Sequence, residues 1–388
     1  MARPAHGQDV LEMVQGLPAK APDMDTLKEY ISQIKALDTD AMAKAKTRLD
    51  GLAKPPGSLG KLEDIAVRLA GISGKMVYDV TRRCVIIMAS DNGVVVEGVA
   101  SAPQSVTCVQ TVNFTRGLTG VSVIARQFNA DVIIVDVGVN ADLNHPHVRN
   151  RKIRKSTWNI AHRAAMTYNE AVQAIVIGIE TAVEAVKDGY TLLGAGEMGI
   201  GNTTTSAAVL CALTGILVEQ ATGKGAGLKE EAYRHKIEVI RTALKNNKPD
   251  ARDPVDVLAK VGGFDIAAMT GVFIGGAYTR TPVVIDGFIS MVAALAASRL
   301  HPLVKEFMFA SHASHEQGFA HAALALGLEA PLHLDMRLGE GSGCPIMFAV
   351  IDAACAVIRD MGTFEQARID EQYLHEIRDG GNFSVSAT

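Results

Sequence analysis

Apolar residues recur at helical spacing from residue 24 to residue 72, with one break at Lys54-Pro55-Pro56-Gly57-Ser58-Leu59-Gly60. Two prolines and two glycines cannot continue a helix, so a loop is predicted there. From Arg83 onward, short apolar runs rich in β-branched residues alternate with longer helical patterns, which predicts a parallel sheet with crossover helices. Five strands are predicted, at 84–89 (CVIIMA), 131–136 (DVIIVD), 190–193, 282–285 (PVVI) and 307–310. Between the second and third lies a helix with its own punctuation. Thr167 is the N-cap, Glu170 follows three residues later, Val172, Val176, Ile179, Val183 and Val186 form the apolar face, and Gly189 closes it. Another apolar helix is predicted over 346–358. Pro4, His6, Gly7, Gly16 and Pro18 interrupt any period in residues 1–20, which read as a loose extension, and the texture breaks again near residue 80.

Composition narrows the class. Of 388 residues, 48% are apolar and 21% charged, a globular mixture that excludes a disordered, collagen-like or coiled-coil chain. With 38 basic and 42 acidic residues the net charge is −4, which supplies no attraction for nucleic acid or an anionic membrane. The first thirty residues contain no leader-like apolar run, so a cytoplasmic protein is expected. Cys84, Cys108, Cys211, Cys344 and Cys355 form no CxxC pair and are odd in number, so they are read as reduced core or pocket-wall residues.

Each predicted strand runs into a polar or glycine-bearing segment: Ser90-Asp91-Asn92-Gly93, Val137-Gly138, the stretch 194–203 (GAGEMGIGNT), Asp286-Gly287-Phe288 and Ser311-His312-Ala313-Ser314. In open parallel sheets ligands sit beyond the carboxyl ends of the strands, so one cleft is expected to collect these segments. Gly194, Gly196 and Gly199 make a formal GxGxxG, but Glu219, at the place of the acidic ribose contact, follows no clear strand. Three readings stay open for this cluster. They are a dinucleotide site, a phosphate or sugar cradle to which Asn202, Thr203 and Thr204 donate, and tight structural packing. Glu197 sits inside it as a candidate buried carboxylate. Thr222-Gly223-Lys224-Gly225 lacks the spacing of a P-loop. In the second cluster, Arg337-Leu338-Gly339-Glu340-Gly341-Ser342-Gly343, three glycines let a ligand approach Glu340 closely. Beside apolar Leu338 and Met347, that glutamate is a candidate general base; the alternative is charge compensation at a helix N-terminus. His312, His315 and His321 lack the spacing of a zinc motif, Ser311, Ser314 and His312 read instead as hydrogen-bond donors to a phosphate, and His145-Pro146-His147 as an exposed turn. A nucleophile elbow GxSxG is absent, which removes a Ser/His/Asp hydrolase.

Long motifs then point to a family: LAKPPGSLGKLEDIAVRLA, SDNGVVVEGVA, NFTRGLTGVSVIARQ, GEMGIGNTTTSAA, DVLAKVGGFDIAAMTGV, VVIDGF and MRLGEGSG. From about residue 49 to 364 the chain resembles the nicotinate-nucleotide:dimethylbenzimidazole phosphoribosyltransferases, which make the lower-ligand nucleotide of cobamides. The resemblance implies transfer of phosphoribose from nicotinate mononucleotide to an aromatic base with inversion at the anomeric carbon, and no metal or redox cofactor. It implies an α/β fold, with a Rossmann-like parallel-sheet domain over 80–365 and a small helical domain from 21–79 with 366–388, in a homodimer. Motif by motif, it places Glu340 as catalytic base and Glu197 as a second catalytic glutamate near the ribose. The phosphate falls to Gly199, Asn202, Thr203, Lys236 and Ser314, and the base lies near Ala102, Gln110 and Leu338.

Two positions depart from the family pattern. Asn92 stands where relatives carry a histidine, and Ala102 where the benzimidazole enzyme has a serine touching the base. Loss of a hydroxyl opens the choice of acceptor. Relatives that use phenol or p-cresol are built of two related subunits, so a heterodimeric phenol enzyme is the rival reading. A non-catalytic paralogue completing a partner's site is another, against which the retained Glu197, Lys236 and Glu340 argue. A dehydrogenase is the most distant.

Overall fold

A computed structural model describes residues 22–224 and 227–370. Its centre is one six-stranded, wholly parallel sheet in the order β3-β2-β1-β4-β5-β6. The strands are β1 (Arg83–Ser90), β2 (Ala130–Gly138), β3 (Val148–Asn150), β4 (Leu192–Met198), β5 (Val283–Ile285) and β6 (Met308–Ala310). β1 and β4 are buried along their whole length, as continuous apolar runs in a sheet covered on both faces should be. Chain order reverses between them, so the connections leaving their carboxyl ends diverge and open a crevice. The α/β class and the helix-flanked parallel sheet are as the alternating pattern predicts.

Three strand boundaries differ from expectation, each for a physical reason. β3 is absent from the predicted strands, because Val148-Arg149-Asn150 carries a single apolar residue; it forms by pairing with β2 at the sheet edge. β2 continues through Val137 and Gly138, which read as loop in the sequence. β4 is shifted into the glycine cluster, with Gly194 and Gly196 opposite Val85 and Ile87 of β1. Glycine disfavours strands in isolation, but two flanking strands and a close approach described below override that preference.

Helix Tyr168–Lys187 carries the expected capping box, in which Thr167 and Glu170 satisfy each other's backbone N–H groups. It crosses helix Phe264–Tyr278, buried at every position, with backbone against backbone. A side chain on Gly178 would overlap the carbonyl oxygen of Ala268, and one on Gly271 the carbonyl oxygen of Ile175. This crossing seats the Phe264 end of the buried helix under the carboxyl ends of the strands.

The described residues divide into two compact units. One takes the chain up to Lys35 together with Arg82–Met347; the other takes Ala36–Thr81 together with the residues from Phe348 onward. The division departs from the expected boundaries twice. Helix Met24–Ser32, expected in the helical domain, joins the sheet unit because it buries Leu27 and Tyr30, and the Tyr30 ring meets Tyr278 edge-on at 5.0 Å. The helical unit also gains the chain from Phe348 rather than from residue 366. Within that unit, the loop over residues 54–60 is held by a buried Lys54–Glu63 ion pair of 2.8 Å, and Glu63 also accepts from Leu59 N–H. The expected extension over residues 1–20 and the last part of the 366–388 segment lie outside the described residues. All five cysteines are free thiols, four buried and Cys108 half-buried. Among the described residues no helix is long and apolar enough to cross a membrane.

The helix crossing generates a stability prediction. Gly271→Ala is expected to cost about 1–3 kcal/mol, the range for overpacking a close-packed interior. Denaturant unfolding should show a lowered midpoint; an unchanged midpoint would mean that the crossing is looser than its backbone contacts indicate.

Candidate active site

The carboxyl ends of the central strands open into a cleft of about 320 Å³. Every residue that the family resemblance assigns to the site lines it, drawn from five separate chain segments, whereas the expected strand-end segments 90–93 and 137–138 lie outside the lining.

Glu340 is placed by strained backbone. It has φ +63°, between Gly339 at +82° and Gly341 at +78°, a left-handed run that only flanking glycines allow at little cost. Asp286, just past β5, clamps this loop by accepting N–H bonds from Gly341 (3.0 Å) and Gly343 (2.7 Å). The loop lies directly on β4: a Cβ at Gly196 would fall 2.8 Å from the Glu340 carbonyl oxygen, and one at Gly339 would fall 2.5 Å from Glu197 Oε1. Glycine in the strand is therefore what lets the two glutamates meet. The Glu340 carboxylate accepts from Gln110 Nε2 at 2.9 Å and from Val121 N–H at 3.2 Å. Val121 is in the first turn of helix Gly120–Gln127, so Glu340 does face a helix N-terminus, but not that of its own following helix, where Asp286 does that work.

Glu197 ends β4. Its Oε1 accepts the Glu340 N–H (3.3 Å) and its Oε2 the side-chain amide of Asn202. Burial, and next the charge of Asp265, push its pKa up to about 8. Asp265 accepts from the side-chain amides of Asn92 (3.3 Å) and Asn202 (3.0 Å), and burial raises its pKa to about 6. Asp286 is raised by burial to about 7, its three backbone donors opposing the shift. Asp286, in the cleft lining, and Asp265, behind it, are buried acids that sequence reasoning did not single out. Asp286 was visible as a polar residue at a strand end, whereas Asp265, in the first turn of an apolar helix, reads as ordinary helix-dipole compensation.

The other end of the cleft suits an anion. Helix Asn202–Thr214 points its N-terminus into it, entered through Gly199 and through Gly201 at φ +95°. A Cβ at Gly199 would fall 2.5 Å from Asp265 Oδ2, so that glycine too is a close-packing position. Lys236 is 1% exposed, and its Nζ donates to Thr203 Oγ1 (2.9 Å) and to the Gly223 carbonyl oxygen (3.3 Å). Burial lowers its pKa to about 8, and Glu316 opposes the shift. Ser314 stands beside it, its Oγ accepting the Glu316 N–H at 3.4 Å. Two expected anion donors are corrected. Asn202 has both amide hydrogens committed to Glu197 and Asp265 and its N–H to the Gly199 carbonyl oxygen, so it has none left for a phosphate. Thr204 is fully buried on the inner face of its helix and does not line the cleft.

Other sequence alternatives resolve geometrically. Gly194 and Gly196 lie inside β4, so the GxGxxG does not form a phosphate-binding loop, and Glu219 is paired with Arg241 on exposed helices. Of the three histidines only His312 faces the cleft, its Nδ1 3.0 Å from Ser311 Oγ and its pKa lowered by burial; His315 is exposed and His321 half-buried. His145 is half-buried beside Thr115, and His147 is exposed. Ala102, Val106 and the 59% exposed Leu338 line the same cleft as Gln110, the partner of Glu340.

Comparison with known proteins agrees with this geometry. A family model described as phosphoribosyltransferase matches residues 34–369. A Clostridium perfringens protein named nicotinate-nucleotide–dimethylbenzimidazole phosphoribosyltransferase is 55% identical over 353 residues, covering 91% of this chain and 98% of its own. A Ruminiclostridium cellulolyticum protein of the same name is 52% identical over 348 residues, covering 90% and 99%. The crystal structure of the enzyme of that name from Thermus thermophilus superposes with a TM-score of 0.82 at 39% identity, over 86% of this chain and 99% of the other.

The raised pKa of Glu197 carries a stability consequence. A carboxyl that titrates near 8 when folded and near 4.5 when unfolded holds its proton more tightly in the native state, so its contribution is present below pH 4.5 and is lost as pH rises through 8. Between pH 5 and pH 8 the empty wild-type protein should therefore lose more stability than Glu197→Gln, by on the order of 1–3 kcal/mol in urea unfolding. Parallel losses in the two proteins would show that Glu197 is already ionised at pH 5.

Proposed function

The chain belongs to the nicotinate-nucleotide–dimethylbenzimidazole phosphoribosyltransferase family, and we propose that it moves phosphoribose from nicotinate mononucleotide to a benzimidazole-type base, yielding an α-ribotide and nicotinate for cobamide lower-ligand synthesis. The observation that carries the reading is the contact of two buried glutamates, Glu340 N–H on Glu197 Oε1, midway between an anion cradle and an apolar wall. In this reading Lys236, Thr203, Ser314 and the N-terminus of helix Asn202–Thr214 take the 5′-phosphate. That leaves the ribose over Glu197 and Asn202, and the incoming base between Ala102, Gln110 and Leu338.

The chemistry follows from charge. Nicotinate leaves C1′ with the bonding electron pair, which neutralises its pyridinium ring, and C1′ develops oxocarbenium character. An ionised Glu197 stabilises that cation. A cleft whose acids are held partly protonated when empty matches such a substrate, because the pyridinium and then the oxocarbenium favour the charged carboxylate. The base attacks C1′ through its unprotonated ring nitrogen, and Glu340 removes the proton from the other. Gln110 bonds one oxygen of Glu340 and holds it in the acceptor subsite. Assembly as a homodimer belongs to the same reading; Val109 and Leu118, 59% and 61% exposed near the acceptor end, are an apolar surface for a second copy to cover.

Ala102 bears on acceptor choice. It lines the cleft without a hydroxyl, so a benzimidazole finds one hydrogen-bond partner fewer there while a phenol loses nothing. The azole remains the acceptor, with a broadened range.

Two measurements test this reading. With nicotinate mononucleotide and 5,6-dimethylbenzimidazole, the wild type should release nicotinate and Glu340→Gln should turn over about a hundredfold more slowly, the cost of losing proton transfer. Turnover near the wild-type rate would remove Glu340 from the role of base. In direct competition, Ala102→Ser should raise the ratio of benzimidazole to phenol turnover by about five- to tenfold, the worth of one neutral hydrogen bond. An unchanged ratio would place the base away from Ala102.

A further inference from the structure

Asn202 has one amide nitrogen with two hydrogens, and both are used on acids: Nδ2 donates to Glu197 Oε2 and, at 3.0 Å, to Asp265 Oδ2. Asp265 is fully buried and stands behind the cleft, outside its lining. Its Oδ2 also accepts from Asn92 Nδ2 (3.3 Å), its Oδ1 accepts the Ile266 N–H (3.0 Å), and Asn92 Oδ1 in turn accepts from Thr205 Oγ1 (3.4 Å). A hydrogen-bonded chain thus runs from Asn92 through Asp265 and Asn202 to Glu197. An amide between two carboxylates has one stable orientation, with its NH₂ toward both and its carbonyl oxygen turned away from them.

Resting on the transferase reading, we propose that Asp265 is a positioning residue of the reaction: through Asn202 it fixes the Glu197 carboxylate under the sugar and keeps the Asn202 carbonyl oxygen free to accept from a ribose hydroxyl. Helix-dipole compensation alone needs only the bond from Ile266 N–H and leaves the Asn202 and Asn92 contacts unexplained. The charged groups facing Glu197 are Asp265 and Asp286. Glu340 meets it through its backbone N–H.

The test is steady-state kinetics from pH 5 to 9 on wild type, Asp265→Asn and Asn202→Ser, with nicotinate release as the readout. For Asp265→Asn, kcat should fall about ten- to a hundredfold, the range for small misplacement of a reacting group, with KM for the base little changed. The acidic limb set by Glu197 should move down by about one pH unit, because a like charge has been removed. In Asn202→Ser the same limb should move up, because the donor that favours the ionised Glu197 is gone while both acids remain. Opposite shifts are what a merely structural role would not produce. If Asp265→Asn does not fold, as judged by circular dichroism, Asp265→Ser takes its place, with the same fall in kcat and the same downward limb expected. Release by the wild type with unmoved limbs in the folded variants would overturn the positioning role and leave the transferase reading standing; no release by the wild type would overturn both.

Discussion

Three acids, Glu197, Asp265 and Asp286, are buried around one cleft with amide and backbone donors around them instead of arginines or lysines, and the rest of the site depends on tolerating that. Desolvation makes each hold its proton more tightly than in water. The surrounding structure limits the cost with directed N–H bonds: three backbone amides on Asp286, two side-chain amides and the Ile266 N–H on Asp265, and one backbone and one side-chain amide on Glu197. Cations placed there would have stabilised the fold more and would have neutralised the field that a developing positive charge needs. Lys236 stands apart from these acids, bonded to Thr203 and Gly223 at the anion end.

The same constraint explains the glycines. Gly196, Gly199 and Gly339 each sit where a Cβ would collide with a carboxylate or with the backbone that carries one. They serve close approach between a strand, the Glu340 loop and a buried helix terminus, and the run that spells GxGxxG is partly a strand. Gly178 and Gly271 do the equivalent work behind the sheet, where two helices touch backbone to backbone.

Much of this was legible in the amino-acid order. The capped helix after Thr167, the inner strands and the clustering of polar residues at strand ends follow from periodicity and turn chemistry, and the family resemblance singles out Glu340, Glu197 and Lys236, which line one cleft. What remained hidden depends on long-range neighbours. β3 has no apolar run and exists because β2 lies beside it. The Met24–Ser32 helix leaves the helical unit because Tyr30 finds Tyr278. Asn202 and Thr203 are adjacent polar residues with the same apparent purpose, yet one spends its hydrogens on two acids and the other faces Lys236, a distinction set by partners 63 and 33 residues away. Asp265 could not be told from a dipole-compensating aspartate until the amides of Asn92 and Asn202 were seen to converge on it.

The central claim is that this cleft directs C1′ of nicotinate mononucleotide to a base held by Glu340 and not to water. The most direct measurement is proton NMR of the reaction with and without 5,6-dimethylbenzimidazole, following nicotinate release and the anomeric proton of the product together. Release should require the base, and the product should be the α-ribotide, inverted from the β-substrate. Release at the same rate without base, giving free ribose 5-phosphate, or a product retaining the β configuration, would contradict it.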